Sequence, residues 1–146
     1  MKKFITLALA LLLPAALAHA VVRTDAGGTE SLAGKYETYR LQVPVEKDSD
    51  TTTVRLALPA GLKLSGVMPL PGWTWSAEKD ANGDVTAVTW TGDLKPMEFA
   101  RFYFQAVNPA DPATLAWKVD QTYADGTVVH WDDTDPATPA SKTTVK

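Results

Sequence analysis

Apolar and polar residues alternate along most of this chain, the period of a strand with one buried face. Residues 53–58 show it most cleanly, with Val54, Leu56 and Leu58 on one side and Thr53, Arg55 and Ala57 on the other. Residues 36–43 are rich in aromatic and branched side chains and stop at Pro44, and the alternation resumes at 62–64 after Pro59-Ala60-Gly61. Further strands are predicted at 73–75, 85–90, 97–107, 115–123 and 127–131. Asn82-Gly83 predicts a hairpin with a type I′ turn, whose two central residues both need positive φ. Asp125-Gly126 predicts a second hairpin. Eight or nine short strands with regular turn signals and little helical periodicity predict an all-β antiparallel sandwich, immunoglobulin- or cupredoxin-like. From about residue 135, with Pro136 and Pro139, the chain reads as an irregular C-terminal tail.

The N-terminus breaks this pattern. Met1-Lys2-Lys3 precedes an apolar run over residues 4–13, and Ala16-Leu17-Ala18 has the small-x-small form that signal peptidase reads. The run is too short to span a bilayer, and Pro14 interrupts its end. Residues 1–18 therefore predict a cleaved signal peptide, leaving a single domain over residues 19–146 that begins at His19. Ala18-His19-Ala20 offers a competing cleavage site two residues later. No second apolar stretch follows, so the expectation is export through the inner membrane to the periplasm, without a membrane anchor in the mature chain.

Charge and cysteine content narrow the chemistry. The chain has 14 basic and 17 acidic residues; loss of Lys2 and Lys3 moves the net charge from −3 to −5. An acidic balance argues against nucleic acid as a partner. With no cysteine there is no disulfide and no thiolate ligand, so any metal must be held by nitrogen, oxygen or thioether sulfur. The patterns of serine hydrolases, zinc proteases, EF-hands and phosphate-binding loops are missing, and the expectation is a protein that is not an enzyme.

A mature N-terminal histidine carries two nitrogen ligands, its α-amine and its imidazole. Together they close a chelate ring of the kind copper(II) favours. A tight site needs a third ligand, most simply a carboxylate, and Glu30, Glu37 and Glu46 all follow in the next stretch of chain. Glu46 sits at a strand–loop junction beyond Pro44, whereas Glu37 lies mid-strand and reads as a solvent-face residue. Among the five tryptophans, Trp90 and Trp117 read as core. Trp73 and Trp75 share a face and also read as core packing. Trp131 closes the last strand beside His130, where its ring can cover one side of a metal site. Met68 and Met97 read as core filling.

Several stretches, taken in order, resemble one known family. They are His19; Ser31-Leu32-Ala33-Gly34-Lys35-Tyr36-Glu37-Thr38-Tyr39; Val43-Pro44-Val45-Glu46-Lys47-Asp48; Val67-Met68-Pro69-Leu70-Pro71-Gly72-Trp73; Val88-Thr89-Trp90; Phe104-Gln105-Ala106-Val107-Asn108-Pro109; and residues 123–131, ending Val129-His130-Trp131. Over nearly all of residues 19–141 the chain resembles the YcnI-like family of exported bacterial β-sandwich proteins. The resemblance implies a Cu(2+) protein with a monohistidine brace: His19 chelating through amine and imidazole, a glutamate adding oxygen, and a tryptophan beside the metal. By position these are His19, Glu46 with Glu30 as the second candidate, and Trp131. It implies a role as copper chaperone or in copper homeostasis, with the copper ion and a copper-accepting or copper-importing membrane protein as partners. Two rival readings are a copper monooxygenase using His19 and His130 as paired imidazoles, and a sandwich that stacks glycans on tryptophan.

Overall fold

The computed structural model describes residues 18–146, so the predicted signal peptide lies outside the described residues except for Ala18. Eleven strands follow in order: β1 (Val21–Thr24), β2 (Glu30–Ser31), β3 (Tyr36–Pro44), β4 (Thr51–Ala57), β5 (Lys63–Val67), β6 (Thr74–Lys79), β7 (Val85–Leu94), β8 (Phe99–Val107), β9 (Ala113–Tyr123), β10 (Val128–Trp131) and β11 (Ser141–Val145). They form two facing sheets. One has the order β1-β3-β8-β5; the other runs β2-β11-β9-β4-β7-β6, with β10 pairing β9. All pairs are antiparallel except β2 with β11. The all-β sandwich read from the alternation is the fold.

The alternation places the core. From the smaller sheet Val22, Tyr39, Leu41, Val43, Phe102 and Phe104 turn inward; Val54, Leu56, Trp90, Leu115, Trp117 and Val119 meet them from the larger one. Tyr39, Phe104 and Trp117 pack as an aromatic group with ring centroids 5.1–5.7 Å apart. This is the aligned sandwich solution to burying one face of each sheet.

The structure corrects several local expectations. The segment after residue 135 is not all tail: β11 pairs along β9 from Ser141↔Trp117 to Val145↔Ala113. Its inward side chains Ser141 and Thr143 are polar, which hides the alternation, and Thr143 accepts a hydrogen bond from Trp117 Nε1 at 2.9 Å. Gly83 has positive φ but Asn82 does not. With the Gly83 N–H bonding Asp80 O and the Asp80 N–H bonding Asp84 O, the hairpin closes as a longer loop with a left-handed glycine rather than as a type I′ turn. Trp75 is 48% exposed on β6, an edge strand whose residues are all exposed. Trp73, just before β6, packs edge-on against Phe102 and covers Gly92 so closely that a Cβ there would meet the indole. Met68 and Met97 are exposed rather than core-filling.

Candidate metal centre

His19 stands two residues before β1, at one edge of the sandwich. Ala20 and Val22 turn inward and anchor the segment, while the Val22 N–H donates to Ser141 Oγ across to β11 at 2.9 Å. The pairing Val21↔Gln42 aligns β1 with β3. Continuing that register brings His19 level with Pro44, two residues before Glu46. The His19 ring, half-buried, lies 5.6 Å from the Trp131 ring, with the planes inclined at 48°.

Trp131 is buried and held from behind. Its indole N–H donates to Gln121 Oε1 at 3.1 Å. The amide of Gln121, itself wholly buried, donates to Pro44 O and to Thr51 Oγ1, both at 2.8 Å. One side chain on β9 thus ties the indole beside His19 to the end of the strand that leads to Glu46. Sequence reasoning missed Gln121, Thr51 and Tyr123. The available signal was a glutamine at an inward position of the β9 alternation, since a buried amide has to find partners.

Glu46 is exposed, just past Val45, whose N–H donates to Glu98 O at 3.0 Å. It lies close to Tyr123. Burial pushes the Tyr123 hydroxyl up; a backbone hydrogen bond at Glu46 opposes this and the Glu46 carboxylate adds to it. Among the described residues neither His19 nor Glu46 forms an ion pair.

The other candidates lie elsewhere. Glu30 pairs with Lys146 at 2.8 Å and sits opposite Thr144 on β11. Its neighbour Ser31 bonds Glu37, seven residues from Pro44 along β3. That is a separation of roughly 23 Å at strand rise, so Glu30 is at the far end of the sandwich from His19. Glu37 is not a solvent-face residue either: Ser31 Oγ and Lys35 Nζ hold its carboxylate at 2.6 and 2.8 Å. His130 alternates with Trp131 and therefore points to the outer face of the sheet, where its Nδ1 lies 2.6 Å from Asp120 Oδ1. The strand pleat itself keeps it from pairing with His19. Among the described residues no three His, Asp or Glu side chains gather into a metal-binding group.

The sequence matches the family described as Domain of unknown function (DUF1775) over residues 19–145. The chain belongs to the DUF1775 family. This is the YcnI-like family that the sequence motifs resemble. A relative is the "Copper-binding protein CutI" of Bacillus subtilis (strain 168), 39% identical over 120 residues. The match takes in 80% of this chain and 58% of the relative, so the chain spans little more than half the relative's length. Among solved structures, an uncharacterized protein from Nocardia farcinica with an immunoglobulin-like fold is similar at a TM-score of 0.73 and 27% identity, covering 87% of this chain and 97% of that one. A cohesin module from a Clostridium perfringens family 33 glycoside hydrolase aligns at a TM-score of 0.57 and 11% identity, covering 88% and 94%. It shares the fold alone.

Proposed function

We propose that this protein is an exported, periplasmic copper(II)-binding protein that holds the ion through a single-histidine brace and serves as a copper chaperone or in copper homeostasis. The observation that carries the reading is the His19 ring lying against Trp131 at the edge where β3 leads to Glu46. The name of the Bacillus relative supports copper as the ion, and the family match that begins at His19 supports this residue as the start of the working domain.

The donor chemistry fits. Cleavage after Ala18 frees an amine on the residue that already carries an imidazole. Two nitrogens and the Glu46 carboxylate form a set suited to copper(II). Only two side chains are needed, so a gathering of three is not required. Trp131 covers one side and limits water, and the surrounding exposed surface leaves the ion open to exchange. That suits a carrier better than a reaction chamber. A nitrogen/oxygen set holds copper(I) weakly, so reduction provides a release route.

The test is the intact mass of the exported protein with and without copper(II), followed by EPR. A chain beginning at His19 that gains one copper, and loses it when one alanine is added ahead of His19, supports the brace. A chain beginning at Val21, or copper binding indifferent to the added alanine, refutes it. Glu46→Gln is expected to alter the copper(II) EPR spectrum, whereas Glu30→Gln leaves it unchanged.

A further inference from the structure

Met97 stands where its backbone does not favour it. Residues 95–98 link β7 of the larger sheet to β8 of the smaller one, and the Glu98 N–H donates to Lys95 O at 3.1 Å. With Pro96 second and Met97 third, at a φ of 69°, the link closes as a type II turn, whose third position calls for glycine or asparagine. Among the described residues only Met97 and Asp133 have positive φ without being glycine, and aspartate tolerates that conformation better than methionine does. Packing does not compensate, since Met97 is 98% exposed. Strain kept at a side chain that packs against nothing points to chemistry rather than to the fold.

The turn is fastened beside Glu46. β3 and β8 pair as far as Pro44↔Phe99, and the Val45 N–H then donates to Glu98 O at 3.0 Å. One step further along this register, Met97 comes level with Glu46. Lys95 Nζ donates to Asp50 Oδ2 at 2.7 Å, which ties the turn to the loop that follows Glu46. From the other side, the β1 register brings His19 level with Pro44. Two strand spacings across and two residues along put roughly 12 Å between the backbones of His19 and Met97. An imidazole, an ion and a thioether together span such a gap. Met68 has no such place. Its N–H donates to Tyr103 O, six residues beyond Met97 along β8 and roughly 20 Å away at strand rise.

We propose that Met97 is a copper(I) ligand, taking the ion from His19 and Glu46 on reduction and presenting it to an acceptor. The chain holds no cysteine, so a thioether is the softest donor it has, and soft sulfur suits copper(I) better than carboxylate oxygen does. One electron from a small-molecule reductant of the ascorbate or thiol class converts copper(II) to copper(I). The copper–oxygen bond to Glu46 then breaks, a copper–sulfur bond to Met97 Sδ forms, and no protein group is oxidised. The exposure of Met97 leaves its sulfur open to a second protein. The copper(II) half of this sequence rests on the single-histidine brace; the binding of copper(I) by Met97 does not.

The test uses the processed protein starting at His19, with isotope-labelled methionine methyl groups followed by NMR. One equivalent of copper(I), supplied without oxygen as its acetonitrile complex, is expected to shift the Met97 methyl signal and leave that of Met68 in place. Met97→Gly suits the turn and is expected to raise the Tm while weakening copper(I) binding about tenfold in competition with a chromophoric chelator. Met68→Leu is expected to leave copper(I) affinity unchanged. A Met97 methyl signal that does not move, equal shifts of both methyls, or unchanged copper(I) affinity in Met97→Gly overturns the proposal. These measurements read copper(I) alone, whereas copper(II) EPR with the added alanine reads the brace, so failure of one is told apart from failure of the other.

Discussion

The imidazole of His19 and the indole of Trp131 meet at the sandwich edge, their ring centroids 5.6 Å apart. The contact joins the segment before β1, which belongs to one sheet, to the end of β10 in the other. An ion held by His19 therefore lies near one tryptophan in particular. Copper(II) quenches indole emission most strongly at short range. Stoichiometric copper(II) is expected to quench part of the emission of the processed protein, and Trp131→Phe to remove most of that quenching while the mass still shows one bound copper. Undiminished quenching in Trp131→Phe contradicts the arrangement.

Gln121 gives a second prediction, because three elements depend on its amide. Gln121→Leu leaves the Trp131 N–H and the Pro44 carbonyl without their buried partner. An unsatisfied buried group costs about 1–3 kcal/mol, and denaturant unfolding is expected to show a loss of that size. The variant is also expected to change the copper(II) EPR spectrum, since both the indole and the strand end leading to Glu46 lose a common anchor. Gln121→Glu keeps an acceptor for the indole but removes the donor to Pro44 O, and is expected to stay less stable than the wild type. A Gln121→Leu variant of unchanged stability is the contrary result.

The same elements show what was readable beforehand. Strands with an apolar stripe, such as β4, β8 and β9, were legible because the stripe is what the fold buries. Strand β11 was not, because its inward side chains include serine and threonine, which find hydrogen-bond partners at Val22 and Trp117 instead of apolar contacts. Trp75 misled for the opposite reason: an edge strand exposes both faces, and alternation says nothing about where a sheet stops. At the candidate site, His19, Glu46 and Trp131 came from the processing pattern and the family motifs. Gln121, which holds Trp131, reaches Pro44 across 77 residues of chain, and local patterns carry no information about such pairings. The position of His130 was decided by the pleat, once Trp131 was known to turn inward.

Trp90 and Trp117 make a matched pair for stability. Both are almost wholly buried, yet Trp117 Nε1 donates to Thr143 whereas Trp90 Nε1 has no partner among the described residues. Replacing either by phenylalanine removes comparable ring volume and leaves a similar cavity. Only Trp117→Phe also strands the buried Thr143 hydroxyl and loosens β11. Its loss of stability is expected to exceed that of Trp90→Phe by about 1–2 kcal/mol. Thermal or denaturant unfolding of the two variants checks this, and equal losses would contradict the assignment of β11 as an anchored strand.

The final prediction concerns acid. Burial pushes the Glu37 carboxyl up, but the bonds from Lys35 and Ser31 outweigh it and hold the group below the usual carboxylate range. Ser31 in turn accepts from Asn108 Nδ2 at 2.9 Å, and Tyr39 donates to Asn108 Oδ1 at 2.6 Å, so the carboxylate ends a buried polar chain. A carboxyl depressed on folding stabilises the native state above its unfolded pKa, near 4.3 for glutamate, and that contribution disappears as the pH falls through the folded value. Glu37→Gln is expected to cost about 1–3 kcal/mol at neutral pH. Below the folded pKa of Glu37 the wild-type and variant unfolding free energies converge. Exposed carboxylates such as Asp125 and Asp132 are lowered too, but they contribute equally to both proteins and cancel in the difference. A gap that stays constant from pH 7 to acid would mean that the charge of Glu37 contributes nothing, and that the variant acts only through hydrogen-bond geometry.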